Sequence, residues 1–133
     1  MIHGIGTDIV SVARMQANLD RFGDRFARRI LNEQEYEQYR GVFHPARFLA
    51  KRFAVKEAVA KALGTGLSAG VRLRQIRVEH DDRGKPRLAY SGRAATLCRE
   101  AQICQSHVSI SDEAQYAVAF VVLESQPPSG AMS

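Results

Sequence analysis

The stretch from Ala46 to Leu63 leaves this chain the least freedom of any segment in its sequence. Its apolar residues fall on nearly every side of a helix, so that helix has to lie buried with the other elements wrapped around it. Gly64-Thr65-Gly66 follows directly and supplies a stop, because glycine adopts the left-handed conformation that closes helices. Glu57 and Lys61 stand four positions apart and are neighbours on the helix surface. Ala50 and Ala54 occupy the same side, and their small side chains predict a hollow above it. An ordinary ion pair at this spacing contributes about 0.3–0.5 kcal/mol. Such a pair suits a solvated helix better than one apolar almost all round, so the pattern alone leaves a structural and a functional role open.

The remaining segments predict what surrounds that helix. Ile2 to Val10 reads as a short strand with Ile2, Gly4, Gly6, Asp8 and Val10 on one face. Ser11 offers an N-cap for a helical stretch in which Met15, Leu19, Phe22, Phe26 and Ile30 recur at helical spacing, although Gly23 interrupts the pattern. A short polar helix over 33–39 and a break over 41–45 come next. After the long helix, Val71 to Val78 alternates as a strand, 81–85 turns, and Pro86 to Tyr90 returns. A helix over 92–102, a strand over 107–111 and a continuous apolar strand over 116–123 complete the pattern. Strands and helices in this order predict an α+β fold rather than alternating βα units. The length of 133 residues suits one domain, spanning 1–124, and the Pro-, Ser- and Gly-rich residues 125–133 are expected to form a disordered tail.

No apolar run is long enough for a membrane span, and the first residues lack the basic start and long apolar stretch of a signal peptide. The expectation is a cytoplasmic protein with no membrane partner. Cys98 and Cys104 are read as lying in one helix, on opposite sides and without metal-ligand spacing, and are expected to be reduced packing residues. A net charge of +5 points to an acidic partner. Five arginines (Arg14, Arg21, Arg25, Arg28 and Arg29) against two aspartates between Ala13 and Ile30 hold much of that excess.

Three residue types are out of place for pure packing. Asp8 ends an apolar strand, where a carboxylate is costly to bury unless it is paired or bound to a cation. Gly4 and Gly6 on its face predict open space for a ligand, although Asp8 as a cap for the next helix is the simpler account. Glu57 and Lys61 are the second case. His107 is the third, on a strand face shared with Ser109 and Ser111, where a structural hydrogen bond is the ordinary role. Together these features point to a divalent-metal site handling phosphate, and no further.

Three blocks carry a resemblance. Gly4-Ile5-Gly6-Thr7-Asp8-Ile9-Val10 is the first. The second is Arg47-Phe48-Leu49-Ala50-Lys51-Arg52-Phe53-Ala54-Val55-Lys56-Glu57-Ala58 with Lys61-Ala62-Leu63-Gly64-Thr65-Gly66, and the third is His107-Val108-Ser109-Ile110-Ser111-Asp112. In order and spacing they resemble the signature of bacterial holo-acyl-carrier-protein synthases, and the resemblance extends to about Glu124. That family moves 4′-phosphopantetheine from coenzyme A to a serine of apo-acyl carrier protein and releases adenosine 3′,5′-bisphosphate. The resemblance implies that Asp8 and Glu57 ligate Mg²⁺ and that Lys61 contacts the pyrophosphate. Gly64, Thr65, Gly66, Lys85, Pro86 and His107 are then expected near the nucleotide, with Arg47 or Arg52 on the 3′-phosphate. Glu57 or a water on the cation would accept the serine proton. Arg14, Arg21, Arg25 and Arg28, with Met15, Phe22 and Phe26 as apolar anchors, would face the acidic carrier protein. A homotrimer with active sites between subunits is also implied. Two other readings use the same residues: another Mg²⁺-dependent phosphotransferase or nucleotide hydrolase, and a basic nucleic-acid-binding module. Against the second, and for an expectation of no nucleic-acid partner, the basic stripe has no aromatic platform for bases.

Overall fold

The computed structural model describes residues 1–127. Strand β1 (Ile2–Ser11) leads into helices α1 (Val12–Phe22), α2 (Asp24–Ile30) and α3 (Glu33–Tyr39) and the long helix α4 (Pro45–Leu63). A single 3₁₀ turn (Leu73–Gln75) precedes the hairpin β2 (Ile76–His80) and β3 (Pro86–Tyr90), followed by α5 (Gly92–Glu100), β4 (Ile103–Asp112) and β5 (Tyr116–Ser125). The α+β expectation holds. β1, β5 and β4 form an antiparallel sheet in the order β1-β5-β4, and β2-β3 is a separate two-stranded ribbon.

α4 lies across β1 and β5 with Leu49, Ala50, Ala54, Val55, Ala58 and Val59 fully buried, as its all-round apolar pattern requires. Its approach to β1 is unusually close. A Cβ placed on Gly4 would stand 1.9 Å from the Ala62 carbonyl oxygen, and one on Gly6 1.8 Å from that of Ala58. The space expected to admit a ligand beside Asp8 is therefore filled by the α4 backbone. Ala50 and Ala54 likewise sit in the core, so the predicted hollow above them does not exist.

Gly23 does break the arginine-rich helix. With φ at 64° it caps α1 through a bond from its N–H to the Leu19 carbonyl (2.8 Å), and α2 restarts after it. At the next junction Asn32 and Glu35 close a reciprocal capping box that starts α3. Residues 71–75 of the expected 71–78 strand are not a strand. Arg72 and Gln75 close a 3₁₀ turn instead, with the Gln75 N–H on the Arg72 carbonyl at 3.0 Å, and three alternating residues are too few to tell the two apart. α5 stops two residues early because Gln102 takes a left-handed conformation (φ 56°) that turns the chain into β4. Cys104 consequently belongs to β4, not to the helix of Cys98, and both thiols are free.

β5 is the central strand, but only one of its faces is buried. Ala117, Ala119, Val121 and Leu123 point under α4, while Tyr116, Val118 and Phe120 stay exposed beside Ile5 and Ile9 of β1. The strand also runs past the expected domain end. Ser125 is in β5 and the Gln126 N–H bonds the Gln102 carbonyl at 3.0 Å, so the start of the expected tail belongs to the sheet edge. Positions 128–133 lie outside the described residues.

Candidate active site

Asp8 points inward from β1, two residues beyond Gly6, and the tight strand–helix contact brings it to the same cleft as Glu57 of α4. The cleft encloses about 230 Å³, and Arg14, Asn18, Phe26 and Phe53 also line it. Asn18 and Phe53 were not singled out from sequence. The signal was there: each lies four residues from a chosen residue, Arg14 or Glu57, and so on the same helix face.

Lys61 does not pair with Glu57. Its ammonium donates to Asp8 Oδ1 at 3.0 Å and to the Thr7 carbonyl at 2.9 Å, across 53 and 54 residues of sequence. Glu57 is held above the usual carboxylate range, first by its burial and next by the negative charge of Asp8, with Lys61 opposing both. Two acidic groups thus share a partly desolvated cleft that Arg14 also lines, with the Lys61 ammonium bonded to Asp8 at its edge. A further positive charge would relieve that repulsion. Among the described residues there is no group of three or more His, Cys, Asp or Glu with metal-site geometry. A pair of carboxylates nevertheless suits a hard cation that takes its remaining ligands from phosphate oxygens and water. Asp8 and Glu57 are the residues that would hold it.

The other expected site residues divide into groups. Gly64 (φ 88°) caps α4, and Gly66 bonds back to the Ala60 carbonyl at 3.1 Å. Nothing lies within 4 Å of a Cβ built on either glycine, and Thr65 donates its hydroxyl to the Gly66 carbonyl at 2.8 Å. This turn follows Lys61 directly and leaves its backbone open to approach. Lys85, Pro86 and His107 converge elsewhere, on a cavity of about 690 Å³ shared with Arg87 and Tyr90. Asp81 shapes that end of the hairpin. Its carboxylate accepts the Lys85 and Arg83 N–H groups, and those bonds lower its pKa. His107 Nε2 is 2.9 Å from Glu124 Oε1. None of these residues lines the carboxylate cleft.

Arg47 and Arg52 are both occupied. Arg47 Nε donates to Asp112 Oδ2 at 2.7 Å. Arg52 is buried, stacked on Phe48 and bonded to the Val78 carbonyl, Gln38 and Glu35. Arg52 thus has protein partners for its guanidinium while also lining a cavity of about 360 Å³ with Lys51, His80 and Pro86. The apolar anchors expected beside the arginines are less available than their spacing suggests. Arg28 is clipped to Asp24, whose carboxyl is held low by the Tyr36 hydroxyl and by Arg28 itself. Met15 is buried in the core rather than presented as an anchor, and Phe26 forms part of the cleft wall. Arg14, Arg21, Arg25, Arg28 and Phe22 are exposed, Arg28 even while paired with Asp24.

The chain belongs to the 4′-phosphopantetheinyl transferase superfamily, whose sequence model matches residues 4–121. Among the relatives it resembles are holo-[acyl-carrier-protein] synthases. Holo-[acyl-carrier-protein] synthase of Aliivibrio salmonicida is 50% identical over 124 residues, 93% of this chain and 98% of that protein. The crystal structure of the Neisseria meningitidis synthase superimposes with a TM-score of 0.87 at 46% identity, covering 93% of this chain and 99% of the other. That of the Bacillus anthracis synthase, in complex with CoA (3′,5′-ADP), gives 0.80 at 41% identity over 95% and 99%.

Proposed function

We infer that this chain is a holo-[acyl-carrier-protein] synthase, transferring the 4′-phosphopantetheine group of coenzyme A to a serine of apo-acyl carrier protein. The observation that carries the assignment to this cleft is the convergence of Asp8, Glu57 and Lys61 from distant parts of the chain. The serine oxygen attacks the β-phosphorus of coenzyme A. A P–O bond forms there as the bond to the bridging oxygen breaks, and adenosine 3′,5′-bisphosphate leaves. Glu57, whose burial raises its proton affinity, or a water on the cation would accept the serine proton. Lys61 offers its ammonium to the transferring group, with Thr7 and Asp8 orienting it. Mg²⁺ held by Asp8 and Glu57 would offset charge on the phosphates. The open Gly64–Gly66 turn, and the cavity of Lys85, Pro86 and His107, are the surfaces proposed for the nucleotide.

Arg14 lines the cleft itself, so the exposed arginines of α1 and α2 lead an acidic carrier protein towards Asp8 and Glu57. The apolar sheet face of Ile5, Ile9, Val118 and Phe120 supports a homotrimer, since side chains of this kind are normally covered. It also offers a way to bring the second cavity of one subunit near the cleft of another. The free thiols Cys98 and Cys104 suit a reducing cytoplasm.

Incubation with Mg²⁺, coenzyme A and an apo-carrier protein is expected to add one phosphopantetheine mass to the carrier, and chelation of the metal to prevent it. An unmodified carrier would refute the assignment. In the same assay, the Arg14→Glu/Arg25→Glu variant is expected to raise the carrier KM about tenfold or more, because steering charges act on encounter. The KM for coenzyme A should stay near that of the parent. An unchanged carrier KM would place docking elsewhere.

A further inference from the structure

One charged group of α4 has no task in this scheme. Lys56 has no exposed surface, although a lysine ammonium is strongly hydrated when free. Its Nζ donates to the Ile30 carbonyl at 2.6 Å and to Glu35 Oε1 at 2.5 Å. Glu35 is equally buried and gathers donors from several elements. Its Oε1 also accepts the Asn32 N–H at 3.1 Å, and its Oε2 accepts the Val78 N–H at 3.0 Å and Arg52 Nη1 at 3.4 Å. The pair therefore ties α4 at once to the end of α2, the start of α3 and β2.

Stability is a poor explanation for such a cluster, since apolar residues of the same shape usually serve as well or better than a buried ion pair. Direction is what it adds. Glu57 follows Lys56 in the chain, about 100° around the helix and about 1.5 Å along it. A rotation of α4 that took Lys56 off its two acceptors would swing Glu57 away from Asp8. The same bond to Ile30 anchors the end of α2, the helix that places Phe26 in the cleft wall facing Glu57. Arg52, four residues before Lys56, grips Glu35 from the same side of α4 and resists the same rotation.

We propose that Glu35 and Lys56 are positioning residues whose buried pair sets the rotation of α4 about its axis and so keeps Glu57 aimed at the cation site beside Asp8. This rests on the roles proposed above for Asp8 and Glu57. Glu35 and Lys56 are both buried, and neither lines the cleft.

The test follows Mn²⁺ binding to the free protein by electron paramagnetic resonance, with melting temperatures measured in parallel. The parent protein is compared with Glu35→Gln, Lys56→Met and the double variant. Methionine keeps the unbranched shape of lysine, and the double variant leaves neither member of the pair as an unpaired charge. Both single variants are expected to weaken Mn²⁺ binding about tenfold, the scale typical of groups that orient metal ligands. The double variant should regain melting temperature relative to the singles while Mn²⁺ binding stays weak. Folded variants that bind Mn²⁺ like the parent would overturn the proposal, as would a double variant that regains binding together with stability. If Lys56→Met does not fold, Glu35→Gln and the double variant decide the matter. A parent protein that binds no Mn²⁺ would remove the cation site itself, and the proposal with it, an outcome distinct from variants that match a binding parent.

Discussion

Asp8→Ala and Glu57→Gln are each expected to lower kcat by about 10³-fold or more, with the melting temperature little changed. Loss of one cation ligand removes several kcal/mol of charge stabilisation, and each ~1.4 kcal/mol is a factor of ten in rate. Asp8→Ala also frees Lys61 from its carboxylate, so the ammonium loses its orientation as well as its partner. Glu57→Gln keeps the shape of the side chain and removes only its charge and its capacity to take a proton. Both residues sit at the edge of a cleft rather than in the apolar core, so the fold should survive. Steady-state rates with purified carrier protein, alongside thermal melts, provide the measurement. A variant with near-parent kcat would sink the assignment of these carboxylates to the chemistry.

The second large effect is on folding. Gly6→Ala would push a methyl group to 1.8 Å from the Ala58 carbonyl oxygen and within 2.9 Å of the Ala62 nitrogen. Both atoms belong to the backbone of α4, which has no rotamer to change. β1 and α4 would have to separate, at a cost of about 3 kcal/mol or more, the upper part of the range for overpacked cores. For a domain of this size that is a fall in melting temperature of roughly 10 °C. The same separation would carry Asp8 away from Glu57, so activity should drop in protein that remains folded. A Gly6→Ala variant that melts with the parent would show that the strand and helix are not in such close contact.

Much of the scaffold was legible because it follows from short-range rules. The all-round apolar pattern over 46–63 is enough to bury α4, and the period of two in β1 places Gly4, Gly6, Asp8 and Val10 on one face. The Gly64 stop depends on local backbone geometry. Short segments were less legible. Val71-Arg72-Leu73 satisfies a strand and a 3₁₀ turn equally, and the Gln75 hydrogen bonds decide between them. The break at Gly23 could be suspected but not settled.

The charged residues of the candidate site were readable, but neither their connections nor the cleft walls Asn18 and Phe53 were. Asp8, Glu57 and Lys61 were identified by residue type and motif, yet Lys61 pairs with Asp8 across the strand–helix contact instead of with its helical neighbour Glu57. Arg52 and Lys56 look like surface cations in a string of letters. Both are drawn inside because Glu35, from another helix, waits there.

The glycines beside Asp8 mark the same boundary. The sequence alone determined that nothing projects from β1 at Gly4 and Gly6, which follows from their having no side chain. Whether a ligand or a helix fills that gap is a question of what docks against the strand. Only the tertiary structure decided it, by laying the small-residue face of α4 there and so carrying Glu57 to the cleft of Asp8. Local patterns set which groups face which way, while the partner of each charge depends on contacts between segments some fifty residues apart.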